Sequence, residues 1–444
     1  MALAMDPTFV GEDRHERLRH LVDTYETVAT SGRSRLVVLT APSGWGKTRI
    51  VRELYGRLAS SAKHPYWPPS LDAGEGSWLQ ARKRVFPAPF EVAADVSIPF
   101  LWLGISCQRD QMGRELSALQ YAEQQFQSHV GPMATVLAGA GDRWKARLAA
   151  TGAVAGLFGL PDPVNLAMSW HGVATAGWEV LSGEWQSYRD RHADDRARRV
   201  DTHHGSDAAA RGAEMAEQIA RLSGEDLPVV LVIDDAHWAD PGTASFVGKV
   251  LNTSGHVLLV ATAWPDQLAI QSAEVGTFGH ALPHWIDSGR AERHDLARLP
   301  DAALVRVIEG AGRGVDSRIV RALSERADGN PNRLQGLMSL RVVRRALAEG
   351  GVSLTQEQID ALPAGDHEIV MAIWRDLPEY VREVLALSTL QGSEFNPDWI
   401  PAAGELLDLT DAESGLAQAQ SPWGWVRSLD AALSAFVEAG LFER

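Results

Sequence analysis

A β-branched apolar run that empties into a glycine-punctuated loop and then into Gly-Lys-Thr leaves few folds open. One such run spans Arg35 to Thr48, reading Arg-Leu-Val-Val-Leu-Thr-Ala41-Pro-Ser43-Gly44-Trp45-Gly46-Lys47-Thr48. Gly44 and Gly46 leave the backbone bare, so successive N–H groups from Ser43 through Trp45 can face phosphate oxygens. The helix expected from Arg49 to Leu58 brings its N-terminal dipole to the same anion. Lys47 would reach the outer phosphates and the Thr48 hydroxyl would ligate Mg2+. The loop opens on Ala41, where the common form has glycine, and an ordinary Gly-rich strand-to-helix turn shares the short pattern. Context separates the two, because phosphate binding demands a strand before the loop and a helix after it, and both are present.

A second apolar run, Leu227 to Ile233, ends in Asp234-Asp235. Open α/β sheets place ligands at the carboxyl ends of their strands, so this puts two carboxylates where chemistry occurs. Asp234 would hold magnesium directly or through water, and Asp235 would orient or deprotonate an attacking water; a strand end that merely caps a turn is the alternative. Asp240-Pro241 marks a helix start, with Asp240 as N-cap. His256 to Thr262 is a further strand whose polar end, Thr262, lies level with the phosphate loop. Ile98 to Ser106 reads as a buried parallel strand with Cys107 just past its end, and Arg293 to Leu296 as a short edge strand. Strands alternating with helices predict a parallel sheet covered on both faces.

Composition narrows the function classes. The 444 residues carry 42 Lys plus Arg against 57 Asp plus Glu, a net charge of −15, which opposes general attraction to nucleic acid or anionic membrane. A single cysteine excludes an internal disulfide and a cysteine-built zinc site, so a cytoplasmic location is the simplest expectation. The uncharged run Leu148 to Pro161 is too short to span a bilayer and is expected to pack as half of a helical hairpin with Val164 to Trp178. Pro65 to Pro89 reads as loop, Met112 to Ser187 as helical and Ala-rich, and Tyr188 to Ser206 as solvated. His203-His204 in that last piece is exposed polar sequence rather than a metal pair. Beyond Pro300 the pattern is helical: Asp301 to Glu309, Ser317 to Ala327, Arg333 to Ala348 after a break at Asp328-Gly329-Asn330-Pro331, His367 to Asp376, and further segments to Ala439. Fifteen tryptophans are expected to fill interfaces, since no Arg or Lys interleaves with them as a base-stacking surface requires.

Together these motifs resemble the STAND branch of AAA-related P-loop ATPases, whose Asp-Asp-x-x-Trp-Ala-Asp signature reads here Asp234-Asp235-Ala236-His237-Trp238-Ala239-Asp240. Phe9-Val10-Gly11 is similar to that family's motif beside the adenine, and Gly329-Asn330-Pro331 to its Gly-x-Pro motif in the helical lid. Tyr380 to Thr389, Phe395 and Phe436 to Leu441 are similar to its winged-helix region. The resemblance implies an α/β fold with a P-loop NTPase parallel sheet and helices on both faces, followed by a helical lid and a winged-helix-like α domain. The matching boundaries are 1–299 with a helical insertion at about 112–206, 300–350, and 364–444. It implies contacts from Phe9, Val10, Arg49 and Pro331 to a bound ATP or ADP. It further implies a signalling switch that ADP holds closed and that assembles into a homo-oligomer when ATP activates it, working with an effector or sensor the sequence does not reveal.

Two departures stand out. The family's Gly-Arg-Glu is Gly11-Glu12-Asp13-Arg14 here, and its phosphate-sensing arginine is replaced by Trp264 in Thr262-Ala263-Trp264. Each removes a positive charge from near the nucleotide, which points to slow ATP hydrolysis or to nucleotide held mainly for structure. A remodelling motor is a second reading, with Arg298, Arg313 and Arg333 as candidate trans-acting arginines, and a scaffold holding structural ADP is a third. From Ala364 to Arg444, fourteen acidic residues face four arginines and no lysine, so the winged-helix-like region is expected to pack internally rather than bind DNA.

Overall fold

The computed structural model describes residues 8–61, 66–71, 85–87, 98–108, 118–119, 206–312, 314–348, 354–377 and 382. The expected hairpin at 148–178, the helical insertion, the paired histidines 203–204, Arg313 and nearly all of 378–444, including the winged-helix-like segments, lie outside the described residues.

The chain enters through helix α1 (Glu12–Ser31), then alternates: β1 (Arg35–Thr40), α2 (Lys47–Ala59), β2 (Leu101–Ser106), α3 (Ser206–Leu222), β3 (Val229–Asp234), a 3-10 turn (Ala236–Trp238), α4 (Pro241–Asn252), β4 (Val257–Ala263), α5 (Pro265–Gln271), α6 (Phe278–Asp287) and β5 (Ala291–Asp295). The five strands form one sheet in the order β2-β3-β4-β1-β5, and every pairing is parallel. Each residue of β3 and β4 is buried. Because successive side chains point to opposite faces, this requires cover on both sides. Helices α1 and α2 pack on each other and on β4, α3 packs on α4, and α6 links α4 to β5. This is the α/β P-loop sheet with flanking helices that the resemblance implies. Among the described residues, no helix is long and apolar enough to cross a membrane.

β2 sits at an edge of the sheet, yet it is largely buried. Its cover comes from the irregular stretch before it. Trp67 and Trp102 are fully buried, and their indole N–H groups donate to the Phe100 carbonyl at 2.6 Å and the Val85 carbonyl at 2.7 Å. Large aromatics can be buried here because their one polar atom is satisfied. Gly104 lets the Val85 backbone approach the strand, since a Cβ there would lie 2.1 Å from the Val85 carbonyl oxygen. Gly104→Ala is therefore expected to destabilise the fold by about 3 kcal/mol, the upper end for overpacking against backbone. A shift of the urea midpoint checks it; an unchanged midpoint would mean that the 85–87 segment does not hold this place.

After β5 the chain builds a second, all-helical core from α7 (Asp301–Ala311), α8 (Ser317–Ala327), α9 (Pro331–Ser339), α10 (Arg341–Ala348), α11 (Gln356–Asp360) and α12 (Asp366–Asp376). Its buried residues run from Leu299 to Ile373, separate from the sheet core, which ends at Leu296. The single helix expected from Arg333 to Ala348 is two helices, broken at Leu340 in extended conformation. The break lets Leu337, Met338, Leu340, Val343 and Leu347 all reach the same core. Arg326 ties α8 to α11 by donating to the carbonyls of Ile359, Asp360 and Leu362.

Candidate functional site

The site forms where β1, β3 and β4 end side by side. Register pairs Leu39 with Thr262 and Ile233 with Ala261, so β4 brings Thr262 between the phosphate loop and Asp234. Asp234 is fully buried. Its Oδ1 accepts from Thr262 Oγ1 at 2.5 Å and from Thr48 Oγ1 at 3.2 Å. Thr262 Oγ1 also accepts from the Asp235 backbone N–H at 2.9 Å. Asp235 adopts a left-handed backbone with φ 53°, an uncommon conformation that turns the chain sharply after the strand and starts the 3-10 turn. Asp240 ends that turn as N-cap of α4, accepting from Thr243 N at 3.0 Å and Thr243 Oγ1 at 2.5 Å.

The phosphate loop has the shape its sequence requires. Gly44 and Gly46 have φ of 78° and 87°, values that favour glycine, and Gly46 caps α2. Lys47 is buried and its Nζ donates to the carbonyls of Ala41 at 2.8 Å and Pro42 at 3.0 Å, which folds the ammonium over the loop. Arg49 lies one turn along α2 and pairs with Glu53 at 2.7 Å.

The helical core closes directly on this loop. Asn330 Nδ2 donates to the Ser43 carbonyl at 3.3 Å, and the Asn332 backbone N–H donates to the Gly44 carbonyl at 3.2 Å. A Cβ at Gly44 would lie 2.7 Å from Asn332 Cβ, and one at Gly46 would touch Pro331 Cγ at 3.9 Å. Asn330 also caps α9, its Oδ1 accepting from Asn332 N at 3.0 Å and Arg333 N at 3.1 Å. Asn330→Ala is expected to cost about 1 kcal/mol through the lost cap, and also to loosen the helical core from the loop. Faster hydrogen exchange at 329–334 with little change in the sheet is the measurement that distinguishes this from global destabilisation.

Phe9 packs against the sheet core and Val10 against the helical core, so the N-terminal motif straddles both. Gly11, φ 99°, leaves room for Leu299, whose Cδ2 would lie 2.6 Å from a Cβ there. The residue that sequence reasoning missed is Arg14. It is buried, pairs with Asp13 at 2.5 Å, and its Nη2 donates to the carbonyls of Trp45 at 3.0 Å and Ala297 at 2.6 Å. Burial pushes its guanidinium down from the ordinary value, while Asp13 works against that shift. Arg14 thus sets a positive charge against the loop two residues after Glu12. A signal was present: Arg14 stands at helical spacing on the apolar stripe of Leu18, Leu21, Tyr25 and Val28, of which Leu21 and Val28 are fully buried.

Trp264, just past the end of β4, stacks on the fully buried His237 with ring centroids 4.7 Å apart. The Trp264 N–H donates to His237 Nδ1 at 3.3 Å, and Gln271 Nε2 donates to the His237 carbonyl. Arg298 and Arg333, the described candidate trans-acting arginines, pair within the chain with Asp328 and with Asp366, the latter at 2.7 Å. Cys107 is buried just beyond β2, its N–H donating to the Asp234 carbonyl at 3.0 Å. Burial first, then Asp240, Asp234 and Asp235, hold its thiol well above the ordinary value.

No protein-family model matches the chain, and no curated protein matches it. Solved structures with a similar chain trace include the Aeropyrum pernix ORC2 protein in ADPNP-ADP complexes, with TM-score 0.40 and 12% identity over 99% of this chain and 88% of that one. Drosophila ORC bound to DNA gives 0.39 and 12% over 98% and 81%. The ADP form of the Aeropyrum pernix protein gives 0.36 and 11% over 97% and 88%. Likeness at this level carries no argument about activity. The P-loop class rests on the strand order and on the loop that follows β1.

Proposed function

We propose that the chain binds ATP and ADP with magnesium and works as a STAND-type molecular switch with slow hydrolysis, cytoplasmic, assembling into a homo-oligomer when ATP replaces ADP. One observation carries the reading: Thr48, Asp234 and Thr262 converge by hydrogen bonds under a glycine-formed loop on which the lid residues Asn330 and Asn332 rest. The donors fit the metal. Thr48 Oγ1 and Asp234 Oδ1 lie 3.2 Å apart, near the roughly 2.9 Å between neighbouring oxygens around an octahedral magnesium, and hard oxygen donors are what that ion takes. Bound magnesium supplies charge neutralisation for the phosphate oxygens. Lys47 would leave the Ala41 and Pro42 carbonyls for the outer phosphates, and Asp235 would orient the attacking water. Pro331, Phe9 and Val10 would flank the nucleotide from the lid side.

The proposed units are the ATPase domain at 1–299, the lid at 300–350 and a winged-helix-like domain at 364–444, with a separate effector or sensor as partner and neither nucleic acid nor membrane as ligand. Engagement of Arg298 and Arg333 with Asp328 and Asp366 favours the switch over a remodelling motor. Mass spectrometry of nucleotide released by denaturation, followed by calorimetric titration of ATP with magnesium, tests the reading. One equivalent of adenine nucleotide is expected. Protein that is purified empty and gives no binding heat would refute both the switch and the structural-ADP scaffold.

A further inference from the structure

Apart from the nucleotide site, one group of metal-ligating side chains stands together among the described residues: His20, Glu292 and His294, whose donor atoms all lie within 4.8 Å of one another. We infer that His20, Glu292 and His294 form a binding site for a divalent transition-metal ion of the zinc type, which would staple α1 to the edge strand β5.

The placement follows from strand geometry. Glu292 and His294 are two apart on β5, so they project on the same face, and α1 lays His20 over them. His20 Nε2 is 2.5 Å from Glu292 Oε1, and His294 Nε2 is 3.6 Å from Glu292 Oε2. The two imidazole centroids are 4.7 Å apart at 64°. Two imidazoles and one carboxylate are the donor set of three-ligand zinc sites that keep a fourth position open, and nitrogen donors select such ions over magnesium. Tetrahedral bonds of about 2.0–2.1 Å place donors roughly 3.3 Å apart, so loading requires the group to adjust by side-chain rotation.

A second observation points the same way. His294 Nε2 is buried and makes no hydrogen bond among the described residues, because 3.6 Å from a carboxylate oxygen is too far. The cause is Arg17, whose Nη1 lies 3.1 Å from His294 Nδ1. A guanidinium can only donate, so Nδ1 carries the lone pair and the imidazole proton sits on Nε2, aimed at Glu292 but short of it. Burial holds His294 below the ordinary imidazole value, against the opposing pull of Glu292. Metal binding at Nε2 needs that proton to move to Nδ1, and Arg17 must then release the ring. Arg17 has somewhere to go, since its Nε lies 3.3 Å from Asp13 Oδ1. Arg17 is therefore a competitor of the metal, a relation that a surface histidine picking up stray zinc would not show.

The test is independent of nucleotide. Full-length protein stripped with chelator is titrated with Zn2+ against a chromophoric competitor, and Co2+ is used to read coordination by its visible absorption. One equivalent is expected, with a tetrahedral cobalt spectrum and a zinc-dependent rise in melting temperature. His20→Gln, which alters a half-exposed helical side chain, and Glu292→Gln should each weaken zinc at least 10-fold and remove the cobalt bands. Arg17→Met should tighten zinc several-fold. Circular dichroism of each variant shows that it has folded, and His20→Gln is the fallback if a β5 variant has not. Zinc affinity unchanged by His20→Gln and Glu292→Gln would mean an adventitious ion only, and weaker zinc binding in Arg17→Met would overturn the competition and the site with it.

Discussion

Lys47→Ala is expected to weaken ATP binding by 100-fold or more, with the fold intact. Charge-assisted hydrogen bonds contribute about 1.5–3 kcal/mol each, and the Lys47 ammonium would make at least two to the outer phosphates. A loss of about 3 kcal/mol corresponds to roughly 150-fold in Kd. The lysine is already desolvated by the loop, donating to Ala41 and Pro42, so its reach to phosphate needs only a swing within the loop. Titration calorimetry of wild type and variant, with circular dichroism as the folding control, measures the difference. Equal affinities would remove the phosphate-binding assignment of the whole loop.

The second large effect concerns Arg14. Arg14→Met is expected to destabilise the protein by about 3 kcal/mol and to weaken nucleotide binding about 10-fold. Removing a buried guanidinium leaves Asp13 short of its closest partner and the Trp45 and Ala297 carbonyls without its donor, the costly side of a hydrogen-bond deletion. Two of the three contacts reach distant parts of the chain: Trp45 belongs to the phosphate loop and Ala297 to the stretch joining the sheet to the helical core. Arg14→Lys should recover only part of the loss, because an ammonium lacks the planar fork that reaches both carbonyls. Urea unfolding gives the stability term and calorimetry gives the binding term. A methionine variant as stable as wild type would show that Arg14 is solvated instead of bracketing the loop.

Both predictions bear on how nucleotide state would reach the lid. The loop touches the helical core through Ser43 and Gly44, and it touches α1 through Trp45. A phosphate that reorders these loop carbonyls acts on both contacts together. Arg14 adds a second cation to the loop beside Lys47, held against the Trp45 carbonyl from the side of α1.

The sheet and the chemistry-bearing strand ends were legible because their signals are local. A β-branched run needs burial on two faces, Gly44 and Gly46 need left-handed backbone, and a polar Thr262 ending an apolar strand has to face something polar. The Asp240-Pro241 cap and the Asn330-Pro331 break were likewise readable, since capping joins residues two or three apart. The helix from Arg333 to Ala348 was misread as continuous because Leu340 carries no breaker in its own chemistry; the core around Leu337 and Val343 bends it. The reading of Ile98 to Ser106 as a buried parallel strand holds, but an apolar run reports burial without saying whether strands or the Trp67 and Val85 segment provide it.

By itself, then, the sequence determined the strands, the shape of the phosphate loop and which carboxylates and hydroxyls stand at the strand ends, all of them matters of short-range sterics and patterning. Only the tertiary structure decided which partners meet there. Arg14 reaches Ala297 across 283 positions and Asn330 reaches Ser43 across 287. Separations of that size leave no mark on local propensity, and they form because the strand order brings α1, the loop and the lid to one end of the sheet.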